Sequence, residues 1–139
     1  MFESRVIAVM SGMVGLSLWL AGVEPVAGGV TTRVAPGGDA IELEIPTEVG
    51  TQKETLPLYH SGKIHYFSAG IGQVEREAAY PPFPLKLVFT AGGKPFVTGV
   101  EVVLRQSKGA TVLTVPREQV TGPWLFIDVP DGAYEVAAT

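Results

Sequence analysis

The sequence predicts an all-β fold, an antiparallel β-sandwich in one domain, and three observations carry that prediction. Short runs with period-two alternation of apolar and polar residues recur from residue 41 to the C-terminus. Gly, Pro and Asp clusters separate the later runs at intervals of about ten residues, the spacing of short strands joined by turns. Only one window beyond residue 28 has helical spacing, so there are no crossover helices from which a parallel α/β sheet would be built.

The N-terminus stands apart from that pattern. Residues 6–23, "VIAVMSGMVGLSLWLAGV", carry no charge, follow a head containing Arg5, and precede Glu24, Pro25 and the small-residue run "VAGG". This layout predicts a signal helix over residues 1–28, cleaved after Gly28, with Gly22 and Ala27 as alternative last residues. An uncleaved membrane anchor is the main rival, because the apolar run reaches the lower length limit for a bilayer span, and a buried core helix is the third reading. The positive flank is weak, since Glu3 offsets Arg5. No cysteine follows the run, which excludes lipid attachment there.

Residues 29–59 form an N-terminal segment with one or two expected strands. In "IELEI", Ile41, Leu43 and Ile45 fall on one side and Glu42 and Glu44 on the other, between the turn formers "APGGD" and "PTEVG". The main unit is expected over residues 60–139. "KIHYFSAGIG" reads as a strand with Ile64, Tyr66 and Ser68 on one side and His65 and Phe67 on the other. "QVEREAA" allows about two helical turns before "YPPFP" stops it, because proline cannot continue a helix and restrains its predecessor. Five strands follow: "LKLVFT", "VEVVLRQ", "ATVLTV", "PWLFIDV" and "AYEVAAT". Leu85, Leu87 and Phe89, then Val100, Val102 and Leu104, are expected in the core, with Lys86, Glu101 and Arg105 on wet faces.

The last strands carry a resemblance. The run "GGKPFVTGVEVVLRQSKGATVLTV…GPWLFIDVPDGAYEVAAT" resembles the carboxypeptidase regulatory-like domain, through Phe126, Val129, Pro130, Gly132, Tyr134 and Val136. The upstream "HYFSAGIGQVEREAAYPPFPLKLVF" is similar to small exported bacterial proteins with a "GGVG..E" element. Gly70, Gly72 and Glu75 match that element, and Ala69 replaces its first glycine. The resemblance covers residues 60–139 and implies a transthyretin-like, more broadly Ig-like, sandwich without the zinc-binding peptidase unit. Relatives of that kind continue past the equivalent of Thr139 with a further strand. Either the unit over residues 60–139 lacks its last strand through truncation, or residues 133–138 are expected to pair with an N-terminal strand from "GGVTTRV" or "IELEI" or to accept an exchanged partner strand, failing which the protein self-associates.

Composition narrows the function. With 139 residues, 46% of them hydrophobic, the chain can bury one real core. A net charge of −4 gives no basic surface for a nucleic-acid backbone, and the absence of cysteine removes disulfides, thiolate catalysis and thiolate metal sites. Ser61, Ser68 and Ser107 lie in no nucleophile-elbow motif, and "GIGQVERE" lacks the third glycine and the Lys-Ser/Thr ending of a phosphate loop. His60 and His65, five apart, are the candidate metal ligands, with Glu75 and Glu77 nearby in sequence. Positions five apart on one strand point to opposite faces, and Gly62 between them suggests a turn rather than a helix, so ordinary, partly exposed histidines are expected. Tyr59, Tyr66, Phe67, Tyr80 and Phe83 are expected either to plug the end of the sandwich or to line a groove.

The sequence thus predicts a non-catalytic binding or structural module of the cell envelope, periplasmic or secreted. It is expected to need no cofactor and to meet a protein or peptide partner by edge-strand pairing. Its alternatives are a periplasmic metal-handling or enzyme-accessory protein using His60 and His65, and an envelope subunit tethered by an uncleaved N-terminus.

Overall fold

In the computed structural model the described residues are 5–10, 14–20, 29–91, 94–95, 98–107 and 109–139, with backbone alone for 5–10, 14–20, 91, 94 and 95. The chain is mostly antiparallel β-sheet in three sheets. In chain order the strands are β1 (Arg5–Met10), β2 (Val14–Leu20), β3 (Thr31–Val34), β4 (Ala40–Thr47), β5 (Gly50–Pro57), β6 (Tyr59–Ser61) and β7 (Ile64–Ala69). After α1 (Gly72–Glu77) come β8 (Leu85–Ala91), β9 (Lys94–Pro95), β10 (Val102–Gln106), β11 (Thr111–Val115), β12 (Trp124–Asp128) and β13 (Ala133–Ala138). A single 3₁₀ turn, Arg117–Gln119, links β11 to β12.

The central sheet has the order β2-β8-β12-β7-β6, with β9 paired to the end of β8. Both of its faces are covered, and the sequence of β7 and β12 explains how. Alternation sends Ile64 and Tyr66 of β7, and Leu125 and Ile127 of β12, into one core. Phe67 and Ala69, with Phe126, go into a second core on the opposite face. The first core is closed by the sheet β1-β13-β10-β11, through Val102, Leu104, Leu113, Val115, Tyr134, Val136 and Ala138. That sheet is wet on its other side, where Arg105 and Glu135 meet across the β10–β13 register at 2.5 Å. The second core is closed by β3-β4-β5, whose Ile41 and Leu43 are fully buried. Each such side chain contributes about 1.5–3 kcal/mol relative to exposure.

The third sheet extends the sequence reading of residues 29–59. "IELEI" lies within β4 as alternation predicts, and β3 falls in "GGVTTRV". The following "GTQKETLP" is also a strand, although it has no apolar period. It is almost entirely exposed along its length, and as an edge strand needs only backbone pairing to β4.

The N-terminal apolar run differs from the expected helix. Residues 5–10 and 14–20 are extended: β1 pairs in parallel with β13, and β2 pairs antiparallel with β8 along its whole length. Each takes an edge that the remaining strands leave open, and an open row of backbone N–H and C=O groups favours an extended neighbour. The expected cleavage point after Gly28 lies outside the described residues. Among the described residues no helix is long and apolar enough to cross a membrane, which leaves strand-built membrane proteins unaddressed. The expected partner of β13 is also corrected, since β3 and β4 belong to the third sheet and Arg5–Met10 takes the place beside β13.

Candidate functional site

The residues that sequence singled out fall into three places, and only one of them looks outward with chemistry to offer. The glycine-bearing loop is the first. The Glu75 carboxylate, one turn into α1, accepts the N–H groups of Gly70 (3.1 Å) and Ile71 (3.3 Å). The loop donors that an exogenous anion would need are therefore taken by the chain's own acid. Burial pushes this carboxyl above its ordinary value, and the two N–H donors oppose the shift without cancelling it. The Tyr80 hydroxyl donates to the Glu75 carbonyl at 2.6 Å, and burial raises its pKa strongly. This is a closed structural unit.

The aromatic cluster is the second. Phe67 stacks on Phe126 with ring centroids 4.7 Å apart, and Tyr80, Phe83 and Trp124 pack around that pair. Tyr59 and Tyr66 stack with each other on the first-core side, at 5.4 Å, and the Tyr66 hydroxyl donates to Gln119 Oε1. The rings fill the outer core and one end of the inner one. Lys86, expected on a wet face, lies over the Trp124 ring with Nζ 3.7 Å from its centroid, which seals the platform at that edge. Ser68 is the one buried polar side chain among the described residues. Its hydroxyl accepts from Gly122 N at 2.9 Å and lies 2.9 Å from the Trp124 carbonyl, tying β7 to the start of β12. Gly122 is required there, because a Cβ would sit 2.2 Å from the Ala69 carbonyl oxygen.

The third place is the histidine pair, and here the structure overturns the facing argument. His60 and His65 are not on one strand. A two-residue turn at Gly62 and Lys63 reverses the chain, so Ser61 stands opposite Ile64 and His60 directly opposite His65. Gly62 has φ 60°, a conformation for which glycine is suited, and Gly at the first central position is a signal for this kind of hairpin. Directly opposed residues share a face, and the two imidazoles lie edge to face with centroids 4.4 Å apart. His60 is exposed and His65 half-buried.

Two further groups join the pair that sequence reading did not connect with it. Asp128 stands opposite His65 in the β12–β7 register, so Asp128, His65 and His60 form a row across three strands on one sheet face. The Nε2 of His60 is hydrogen-bonded to the Gly38 carbonyl in the turn before β4. Glu75 and Glu77 do not join this row; Glu75 is committed to its own loop, and Glu77 accepts from Gln73 at 2.8 Å. Among the described residues no group of three or more His, Cys, Asp or Glu side chains is gathered closely enough to enclose a metal ion. The row is therefore an open, two-imidazole arrangement. The hairpin was legible in the symmetry of "HSGKIH"; the Asp128 and Gly38 neighbours come from distant segments and leave no local signal.

No family model matches the chain, and no curated protein or solved structure compared with it does so either.

Proposed function

We propose that the chain is an exported, non-catalytic β-sandwich module of the cell envelope, with a transthyretin-like core, that engages an extended protein segment by edge-strand pairing. The observation that carries this reading is the pairing of β13 with Arg5–Met10. That neighbour is parallel, whereas β13 pairs antiparallel with β10, so the edge takes a strand from outside the antiparallel meander. The open edge of β8 is likewise taken by Val14–Leu20. Removal of residues 1–28 during export would strip both neighbours together and present two rows of backbone donors and acceptors to a partner.

Other features support the same reading. The uncharged run 6–23 followed by Glu24, Pro25 and small residues is suited to export. In the "VPDGAY" segment the Tyr134 hydroxyl donates to the Pro130 carbonyl at 2.6 Å, in the manner of the tyrosine corner of Ig-like sandwiches. Ser68 and Glu75 are committed to structural hydrogen bonds.

The test is export of the full-length chain in a bacterium, with intact mass, N-terminal sequencing and a photo-crosslinking residue at Glu135 on β13. The expected product begins near Gly29 and crosslinks to a second polypeptide. Recovery of a chain that retains Met1 and crosslinks only to its own residues 5–10 would discard the reading.

A further inference from the structure

We propose that His60 and His65 together bind one divalent transition-metal ion on the outer face of the β6–β7 hairpin, copper(II) most tightly. This inference is independent of export and of strand pairing, because neither β1 nor β13 contributes to the site. It stands on three observations.

The first is placement. Hairpin register brings the two imidazoles together with ring centroids 4.4 Å apart, without any long-range loop having to close. A shared ion about 2.0–2.1 Å from each ligating nitrogen requires two nitrogens roughly 3 Å apart, a spacing that directly opposed side chains on neighbouring strands can span. The backbone that fixes their spacing lies in a paired hairpin, so the ligands are pre-positioned before the ion arrives.

The second observation fixes which atom of His60 is the ligand. A backbone carbonyl can only accept a hydrogen bond, so the Nε2 bonded to the Gly38 oxygen carries the proton. In the neutral ring the lone pair is then on Nδ1. A histidine whose other ring N–H is held by a backbone carbonyl is the usual state of a metal ligand, because that bond sets the tautomer and the ring orientation. Gly38 comes from the third sheet's turn, so the outer sheet acts here as the positioning partner of a ligand on the central one.

The third is charge. Asp128 stands next to His65 on the same face, in the β12–β7 register. Its carboxylate adds a negative charge on the face that carries the pair, which favours a cation there. Lacking a thiolate and a third enclosing ligand, the site leaves coordination positions to water. Imidazole ligands suit copper, nickel and zinc, and an open nitrogen site follows the general divalent order in which copper(II) binds most tightly. Hard ions such as magnesium and calcium, which need several oxygen ligands, are poorly served.

The experiment is calorimetric titration of the full chain with copper(II) chloride in a non-coordinating buffer, with the electron paramagnetic resonance spectrum of the loaded protein. One ion per chain and two equatorial imidazole nitrogens are expected. His60→Asn or His65→Asn should weaken binding at least about tenfold, and the double variant about a hundredfold, as a bidentate pair is lost. Asp128→Asn should weaken it by less than either histidine variant, through loss of one nearby negative charge, with an unchanged melting temperature. A second readout needs no variant: zinc should shift the ¹⁵N resonances of both imidazoles together. The proposal is overturned if the double variant binds copper as the parent does, if the spectrum shows no imidazole nitrogen, or if zinc leaves either ring unmoved. In those cases the pair is an edge-to-face ring contact only.

Discussion

The two faces of the central sheet are built from different materials. On the inner face, sheet meets sheet mainly through aliphatic side chains, with Leu87, Val102, Leu104, Leu125, Ile127 and Val136 fully buried and Phe89, Tyr66 and Tyr134 among them. On the outer face a small three-stranded sheet, α1 and the "YPPFP" segment close over stacked rings, with Phe67 and Phe126 at the centre. Regular strands facing regular strands interdigitate at every second residue, so branched aliphatics suffice. Where the cover is irregular, large flat side chains fill the gaps, and their polar tips find backbone partners, as Tyr80 does at Glu75. Within the outer cover, Ala79 N to Val30 O and Thr32 Oγ1 to Ala79 O tie β3 to the segment after α1, and the His60 Nε2 bond to the Gly38 carbonyl links the β3–β4 turn to the central sheet. The difference implies that the inner core sets global stability and the outer cover opens more readily.

A matched pair of cavities tests that contrast and has the largest expected effect. Leu104 and Leu43 are both fully buried, one in each core. Truncation of either to alanine should cost about 2–5 kcal/mol by urea denaturation, from lost transfer energy plus the residual cavity. Hydrogen exchange should then separate them. Leu104→Ala is expected to lower protection throughout, whereas Leu43→Ala should speed exchange mainly in β3, β4 and β5. Uniform loss of protection in Leu43→Ala would make the two cores a single cooperative unit.

The seam between β7 and β12 gives a smaller effect. Ser68→Ala leaves the buried N–H of Gly122 without its acceptor, and should cost about 1–3 kcal/mol. An unchanged denaturation midpoint would mean that this N–H finds another partner.

The smallest effect concerns the outer cover alone. Burial holds the Glu75 carboxyl above its ordinary value of 4.5. With the folded pKa above the unfolded one, its contribution is fully present below the unfolded pKa and is lost as pH rises through the folded value. Glu75→Gln removes that titration, so the variant should gain in melting temperature on the parent as pH is raised from about 4 to about 7. A constant difference across the range would show that the carboxyl titrates alike in folded and unfolded chains.

Much of the strand content was legible because alternation is a local property. "IELEI", "IHYFSA" and the five later runs state their own period, and β4, β7, β8, β10, β11, β12 and β13 lie on them. β5 was not legible, since an exposed edge strand has no buried face to impress a pattern on "GTQKETLP". The candidate site was half legible. Both histidines are conspicuous as the only two in the chain and Gly62 signals a turn between them, yet counting strand spacing through that turn set them on opposite faces. The hairpin at Gly62 reverses that conclusion.

By itself, then, the sequence determined the all-β class, the positions of most strands and the residues that must be buried, because periodicity and turn chemistry act over a few neighbouring residues. Only the tertiary structure decided which strands are neighbours. Arg5–Met10 lies beside β13, Asp128 beside His65, and the Gly38 carbonyl against His60. Such pairings join segments far apart in the chain, and the same alternating strand can satisfy its backbone against many partners. The choice among them is made by the cores that close on either face, and that information belongs to the whole chain.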